Sequence, residues 1–261
     1  MLELRRIGLF LRDDDQSYPV LGLEKVLQRA GIELVNDAWR RPAKNLDLII
    51  ALGGDGTVLR ALTAYPNVPV LAINFGNVGF LTQSDREDFD RVLVRLLSDD
   101  YFIEERLTLD ITFAGQTYRS INEMVLKGVS HMVEVDIDVN DRRVHTPRGD
   151  GVIIGTPTGS TAYLLSTGAP LVVPDVDCII VKPLNEYSFS SRTIILPGNA
   201  HIRLKLNSQR ETDVRFSVDG LQPIPLSDRA ELTISRSAQP ARLVCFESDY
   251  FFRNLRERLR W

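Results

Sequence analysis

The sequence predicts an α/β first part with a parallel sheet, followed by an all-β second part, and three observations lead there. Up to about residue 105, strand-length apolar runs alternate with helix-period segments. Beyond it the apolar period falls to two, the mark of half-buried antiparallel strands. The last fourteen residues then return to a helical pattern.

In chain order, Ile7-Gly8-Leu9-Phe10-Leu11 and residues 32–35, 46–52 and 68–75 read as strands of a parallel sheet with helices on its faces. Residues 58–64 read as a helix directly after the third of these. The clearest helix is predicted over residues 85–100. There Phe89, Val92, Leu93, Leu96 and Leu97 keep the i, i+3, i+4 spacing, and Ser84 with Glu87 predicts a capping box. After Glu105, Leu107, Leu109, Ile111 and Phe113 alternate with polar residues, as do Val133, Val135, Ile137 and Val139. Ala114-Gly115-Gln116 and Asn140-Asp141 are the expected turns. Residues 202–206, 214–218, 232–234 and 243–246 continue the β pattern. Residues 248–261 place Phe252, Leu255 and Leu259 on one helical face, predicting a helix that packs back on the first part. The expected domains are residues 1–104 completed by 248–261, and residues 105–247. No internal repeat or low-complexity segment interrupts them.

Composition narrows the class. The 261 residues suffice for a sizeable core, and 44% hydrophobic with 25% charged residues is ordinary for a globular chain. A formal charge of -4 gives no general pull toward nucleic acid or an anionic membrane, so neither is expected as a partner. Cys178 and Cys245, each inside an apolar run, form neither a disulfide framework nor a zinc spacing, and no metal-ligand set is expected. No run approaches the roughly 20 apolar residues that span a bilayer. A cytoplasmic protein is expected.

The segment richest in chemistry is the end of the third strand, where Leu48-Ile49-Ile50-Ala51-Leu52 stops at Gly53-Gly54-Asp55-Gly56-Thr57. Glycines there let backbone amides close on an anionic ligand, and the helix that follows adds its partial positive N-terminus. An aspartate repels a bound polyphosphate, a cost that is tolerable if the carboxylate takes a proton from an attacking hydroxyl or holds Mg²⁺. Alone, the tetrapeptide is equally an ordinary tight turn. Asn122-Glu123 and Asp150-Gly151 follow in the β part. Then comes Thr156-Pro157-Thr158-Gly159-Ser160-Thr161-Ala162-Tyr163, whose hydroxyls and backbone suit a ribose and a base edge, with Tyr163 able to lie against a ring. The plain alternative is a surface loop capping a helix over residues 162–167. Asp13-Asp14-Asp15, the unclustered His131, His145 and His201, and the arginines of the C-terminal helix read as solvated or structural.

Together these segments resemble the NAD kinase family. The likeness rests on Gly53-Gly54-Asp55-Gly56-Thr57, Ile73-Asn74-Phe75-Gly76-Asn77-Val78-Gly79-Phe80-Leu81-Thr82, Asn122-Glu123 and the block from Asp150 to Tyr163. Weaker support comes from Ser188-Phe189-Ser190-Ser191-Arg192 and Phe216-Ser217-Val218-Asp219-Gly220. The resemblance covers nearly the whole chain. It implies a Rossmann-like α/β domain with a β-rich second domain, and transfer of the ATP γ-phosphoryl group to the 2′-hydroxyl of the adenosine ribose of NAD, giving NADP. It further implies Mg²⁺ or another divalent cation carried with ATP, polyphosphate as an alternative donor, and a homodimer or homotetramer.

Position by position, the resemblance makes Asp55 the proton acceptor and sets Gly53, Gly54 and Gly56 against phosphate. Arg60 and Arg148 would meet the dinucleotide's phosphates, and Asn122 and Glu123 would hold ribose hydroxyls. Phe80, Thr161, Ala162, Tyr163, Ser166 and Gln222 would contact the nucleotide. Asp150 would join a site shared between subunits. No Gly-x-x-x-x-Gly-Lys-Ser/Thr segment exists, which excludes the P-loop arrangement. The chain departs from the family in Glu186-Tyr187, where Pro-His is usual, in Leu221, which intervenes before Gln222, and in Leu164, where a polar residue is common. Two other readings compete. One is a non-catalytic NAD(P) sensor, against which Asp55, Asn122 and Glu123 argue together. The other is a lipid kinase, which shares the turn but usually follows it with Glu and Asn-Gly rather than Val58-Leu59-Arg60-Ala61.

Overall fold

The strands Leu48–Leu52 and Val70–Asn74 are buried at every position, which a strand tolerates only when helices cover both faces of its sheet. They are the centre of the first of two compact units. The computed structural model describes residues 2–11, 20–36, 38–41, 43–75, 79–188, 191–207 and 213–260. Asp13-Asp14-Asp15, Gly76-Asn77-Val78 and Phe189-Ser190 lie outside these residues. The chain divides into Met1–Glu105 with Ala241–Trp261, and Arg106–Pro240.

In the first unit the sheet runs Glu33–Val35, Arg6–Leu11, Leu48–Leu52, Val70–Asn74, Ala241–Cys245, Phe102–Arg106. The ladders Arg6–Leu11 with Leu48–Leu52 and Leu48–Leu52 with Val70–Asn74 are parallel. Ile7, Leu9, Leu48, Ile50, Leu52, Leu71 and Ile73 share one core with Leu23 and Leu27 of the helix Val20–Arg29 and with Phe89, Val92, Leu93 and Leu96 of the helix Phe89–Leu97. The helix Asp55–Ala64 packs on the Leu48–Leu52 and Val70–Asn74 strands through Val58, Ala61 and Leu62.

Several sequence expectations shift here. Of residues 243–246, read with the β part, the first three belong to the strand Ala241–Cys245, which pairs parallel with Val70–Asn74. An apolar run has no mark of its sheet, and both kinds of strand read alike. The predicted capping box does not form. Ser84 and Asp85 instead pair with Ile73 and Asn74, a single 3₁₀ turn follows, and the α-helix begins at Phe89. Leu97 is exposed. The C-terminal helix Tyr250–Leu259 packs back on its unit through the Asn254 amide to the Thr82 carbonyl, 3.1 Å, and the Tyr250 hydroxyl to Glu104, 2.9 Å. Its buried face holds Tyr250, Phe251 and Leu255, while Phe252 is exposed.

The second unit is two antiparallel sheets. One runs Arg142–His145, Val133–Val139, Ile202–Leu206, Glu231–Arg236, Leu109–Phe113, Gln116–Ser120. The other runs Ile194–Pro197, Cys178–Leu184, Gly151–Gly155, Glu123–Gly128, Val214–Val218, Ile224–Pro225. Their inward residues interdigitate in one core centred on fully buried Phe216, which meets Phe113 and Tyr118 edge-on at 5.5 Å. Asn140 and Asp141 both have positive φ, as a tight hairpin requires. The opposite face of the second sheet carries Ile153, Cys178 and Ile180 under Leu164. Cys178 and Cys245 are both buried free thiols. Among the described residues no helix is long and apolar enough to cross a membrane.

Candidate active site

In the first unit, strand Leu48–Leu52 ends where the Gly53 amide donates to the Ile73 carbonyl at 3.0 Å, so the next residues leave the sheet at a fixed point. Gly54 caps the helix, and Asp55 is its first residue. The amides of a helix's first turn, here those of Asp55 and Gly56, have no partner within the helix, which suits them to an anion. The Asp55 carboxylate accepts the Phe80 amide at 2.8 Å on Oδ2 and the Leu81 amide at 3.0 Å on Oδ1. It lies against Gly79, where a Cβ would overlap Oδ1. Each oxygen keeps a further lone pair, so the carboxylate is aimed and can still accept a proton. Phe80 is half-buried under the Arg258 guanidinium, 5.4 Å from its ring centroid, and Arg60 is exposed on the Asp55–Ala64 helix.

In the second unit, Asn122 and Glu123 are held from one carboxylate. Asp219 accepts the Ser120 hydroxyl at 2.9 Å, the Ile121 amide at 2.8 Å, the Asn122 amide at 2.8 Å and the Glu123 amide at 3.1 Å. It reaches them from a turn in which Asp219 and Gly220 both have positive φ. The Asn122 carbonyl accepts the Thr156 amide at 2.9 Å and lies so close to Gly159 that any Cβ there would overlap it. Glu123 is 7% exposed, its Oε2 has no hydrogen-bond partner among the described residues, and the Tyr163 amide donates to its carboxyl. Burial, with the Asp219 charge adding to it, pushes the Glu123 carboxyl up to about 8. Burial raises Asp219 too, against the pull of its four donors.

Most hydroxyls of the 156–161 loop point inward. Thr156 Oγ1 donates to the Ile121 carbonyl at 2.6 Å and accepts the Gly159 amide at 3.1 Å. Ser160 exchanges hydrogen bonds with Val172 at 3.1 Å, and Thr158 accepts Arg106 at 3.2 Å. The expected ribose-reading hydroxyls are therefore largely structural, and Thr161, Ala162 and the exposed Tyr163 are the residues left facing outward. Thr158–Thr161 is a 3₁₀ turn and Tyr163–Ser166 one helical turn, with Ser166 exposed. Glu123 and Tyr163 line a cavity of ≈ 540 Å³ with Val125, Lys127, Arg215 and Ser217. Gly220 and Pro223 also border it, while Gln222 stands exposed between them. Asp150 accepts the Asn185 amide at 2.8 Å, and Arg148 is exposed.

Of the departures from the family pattern, Leu164 is buried core, Leu221 is exposed, and Glu186 is a buried carboxyl 2.8 Å from His145 Nε2. Asp219 and Gly79 stand within longer sequence blocks that give neither residue a role of its own. An Asp-Gly pair ending an apolar run was the available signal for a turn, not for what its carboxylate holds.

The defining pattern of the ATP-NAD kinase N-terminal domain matches residues 16–101, and that of the C-terminal domain residues 121–246. The NAD kinase of Clostridium perfringens is 34% identical over 98% of this chain and 99% of its own. That of Symbiobacterium thermophilum is 38% identical over 82% and 78%. Among solved structures, the Archaeoglobus fulgidus NAD kinase in complex with ATP superposes with a TM-score of 0.82 at 26% identity, covering 98% of each chain. Yeast NADH kinase complexed with NADH shares the fold with a TM-score of 0.87 at 24% identity, over 99% of this chain and 88% of its own.

Proposed function

The chain belongs to the ATP-NAD kinase family, and from that premise we propose how its residues carry out the phosphorylation of NAD by ATP. The reaction is an in-line phosphoryl transfer, which needs positioning and charge neutralisation more than covalent help. Asp55 takes the proton of the attacking 2′-hydroxyl. The observation that supports this role is the grip of the Phe80 and Leu81 amides on both its oxygens, which fixes the carboxylate in one orientation at a helix N-terminus. The amides around Gly54 and Gly56 face phosphate. Asn122 and Glu123 form the ribose clamp, Tyr163 lies against a ring, and Thr161, Ala162, Ser166, Phe80 and Gln222 complete the nucleotide contacts. Arg60 and Arg148 neutralise phosphates.

Among the described residues no three His, Cys, Asp or Glu side chains converge as a metal cage. Mg²⁺ carried on the nucleotide's phosphates would supply charge neutralisation beside the turn at residues 53–56. Polyphosphate as donor, a homodimer or homotetramer using Asp150 across subunits, and a cytoplasmic location complete the proposal. Light scattering of the purified protein tests the assembly. NADP formation from NAD, ATP and Mg²⁺ tests the chemistry, with Asp55→Asn alongside. Product from the wild type is expected, with turnover about 10²- to 10⁴-fold lower in the variant and NAD binding kept. Equal loss of binding and turnover would make Asp55 a structural anchor instead.

A further inference from the structure

The two carboxyls at the ribose clamp have unequal surroundings. Asp219 Oδ1 accepts from the Ser120 hydroxyl and the Asn122 and Glu123 amides, and Oδ2 from the Ile121 amide. A proton on Asp219 would put a donor where four donors already point. Glu123 accepts the Tyr163 amide and has an Oε2 with no partner among the described residues. It is buried beside the Asp219 charge, and two carboxyls sharing such a site do not both ionise readily. The proton therefore belongs on the oxygen that has room for it.

Resting on the ribose-clamp reading above, we propose that Asp219 is a positioning residue for NAD: its carboxylate fixes the Ile121–Glu123 backbone, and its charge keeps Glu123 a neutral hydrogen-bond donor toward the dinucleotide. Glu123 then offers an O–H to an acceptor of the ligand, such as a ribose oxygen, and adds no negative charge beside the phosphates. The other charged groups facing this pair are Arg119, which feels both Asp110 and Asp219, and Lys127 and Arg215 on the cavity wall, of which Arg215 is engaged with Asp213. The exposed Tyr163 phenol also lines the cavity.

The test is the dissociation constant of NAD, by calorimetry without nucleotide donor, from pH 6.5 to 9.5 for the wild type, Glu123→Gln and Asp219→Asn. Wild-type binding is expected to be constant on the acid side and to weaken by up to tenfold per pH unit above a break near 8. Glu123→Gln, which copies the neutral acid, is expected to flatten that profile. Asp219→Asn, checked for folding by circular dichroism, is expected to weaken binding and to move the break about one unit lower, because the neighbouring negative charge is gone. A purely structural Asp219 would weaken binding without moving the break, and that result overturns the proposal. Wild-type binding that is flat with pH, or that tightens on the alkaline side, overturns it without any variant. If Glu123→Gln binds NAD as the wild type does at every pH, the clamp reading itself fails and this inference falls with it.

Discussion

Gly79 leaves the space that the Asp55 carboxylate fills. Gly79→Ala should push that carboxylate off the Phe80 and Leu81 amides and lower kcat at least tenfold with little change in the melting temperature. Steady-state kinetics beside a thermal melt separates this from unfolding. Glu123 gives a prediction about stability. Its folded value, about 8, lies above the unfolded 4.5, so the folded state holds a proton that the unfolded chain has released between those limits. The empty enzyme should therefore be most stable, as regards this group, below about pH 4.5 and lose stability as pH rises toward 8, by on the order of a few kcal/mol. Glu123→Gln should remove that slope in urea titrations at pH 5, 6.5 and 8. A slope unchanged in the variant would place its origin elsewhere. The Gly-Gly-Asp-Gly segment was legible as the passage from strand to helix, because glycines directly after an apolar run mark where a strand stops. The role of Asp219 was not, because its donors lie 96 to 99 positions upstream and only the folded sheets bring them together.

At the scale of elements, the strand and helix periods located most segments, and the phase within them was harder to read. The C-terminal helix is the clearest case. Its sequence offers both Phe251 and Phe252, and the start of the helix at Tyr250 decides that Phe251 faces the core. Phe251→Ala should cost about 3 kcal/mol and Phe252→Ala under about 1 kcal/mol, measured by urea unfolding. The reverse order would mean that the helix is rotated. In the 156–161 loop, small hydroxylated residues suit a ligand and an inward knot of hydrogen bonds equally well, and it takes the folded partners of Thr156 and Ser160, with Gly159 against the Asn122 carbonyl, to show the knot. Gly159→Ala should displace Asn122 and raise the KM for NAD about tenfold or more, with a smaller effect on the KM for ATP.

At the scale of the whole molecule, the change of apolar period near residue 105 announced two kinds of sheet. The return of the chain was legible only as a helix, because Ala241–Cys245 carries the same apolar signature in either sheet. That strand stands inside the first sheet, between Val70–Asn74 and Phe102–Arg106. A chain ending at Pro240 should leave the Val70–Asn74 strand with an open apolar edge and give insoluble protein on expression. Soluble, cooperative unfolding of that truncated chain would show the first sheet closing without it.

This threading also sets an order of events on the ribosome. Arg6–Leu11, Leu48–Leu52 and Val70–Asn74 emerge early, yet their sheet lacks an inner strand until Ala241–Cys245 follows. The second unit, contiguous in sequence, has all its strands earlier. At roughly 5–20 residues per second, the amino-terminal strands wait on the order of ten seconds for their partner. Through that interval a nascent chain carries an unfinished sheet, and chaperones that hold exposed strand edges would find their work at the beginning of this protein rather than at its end.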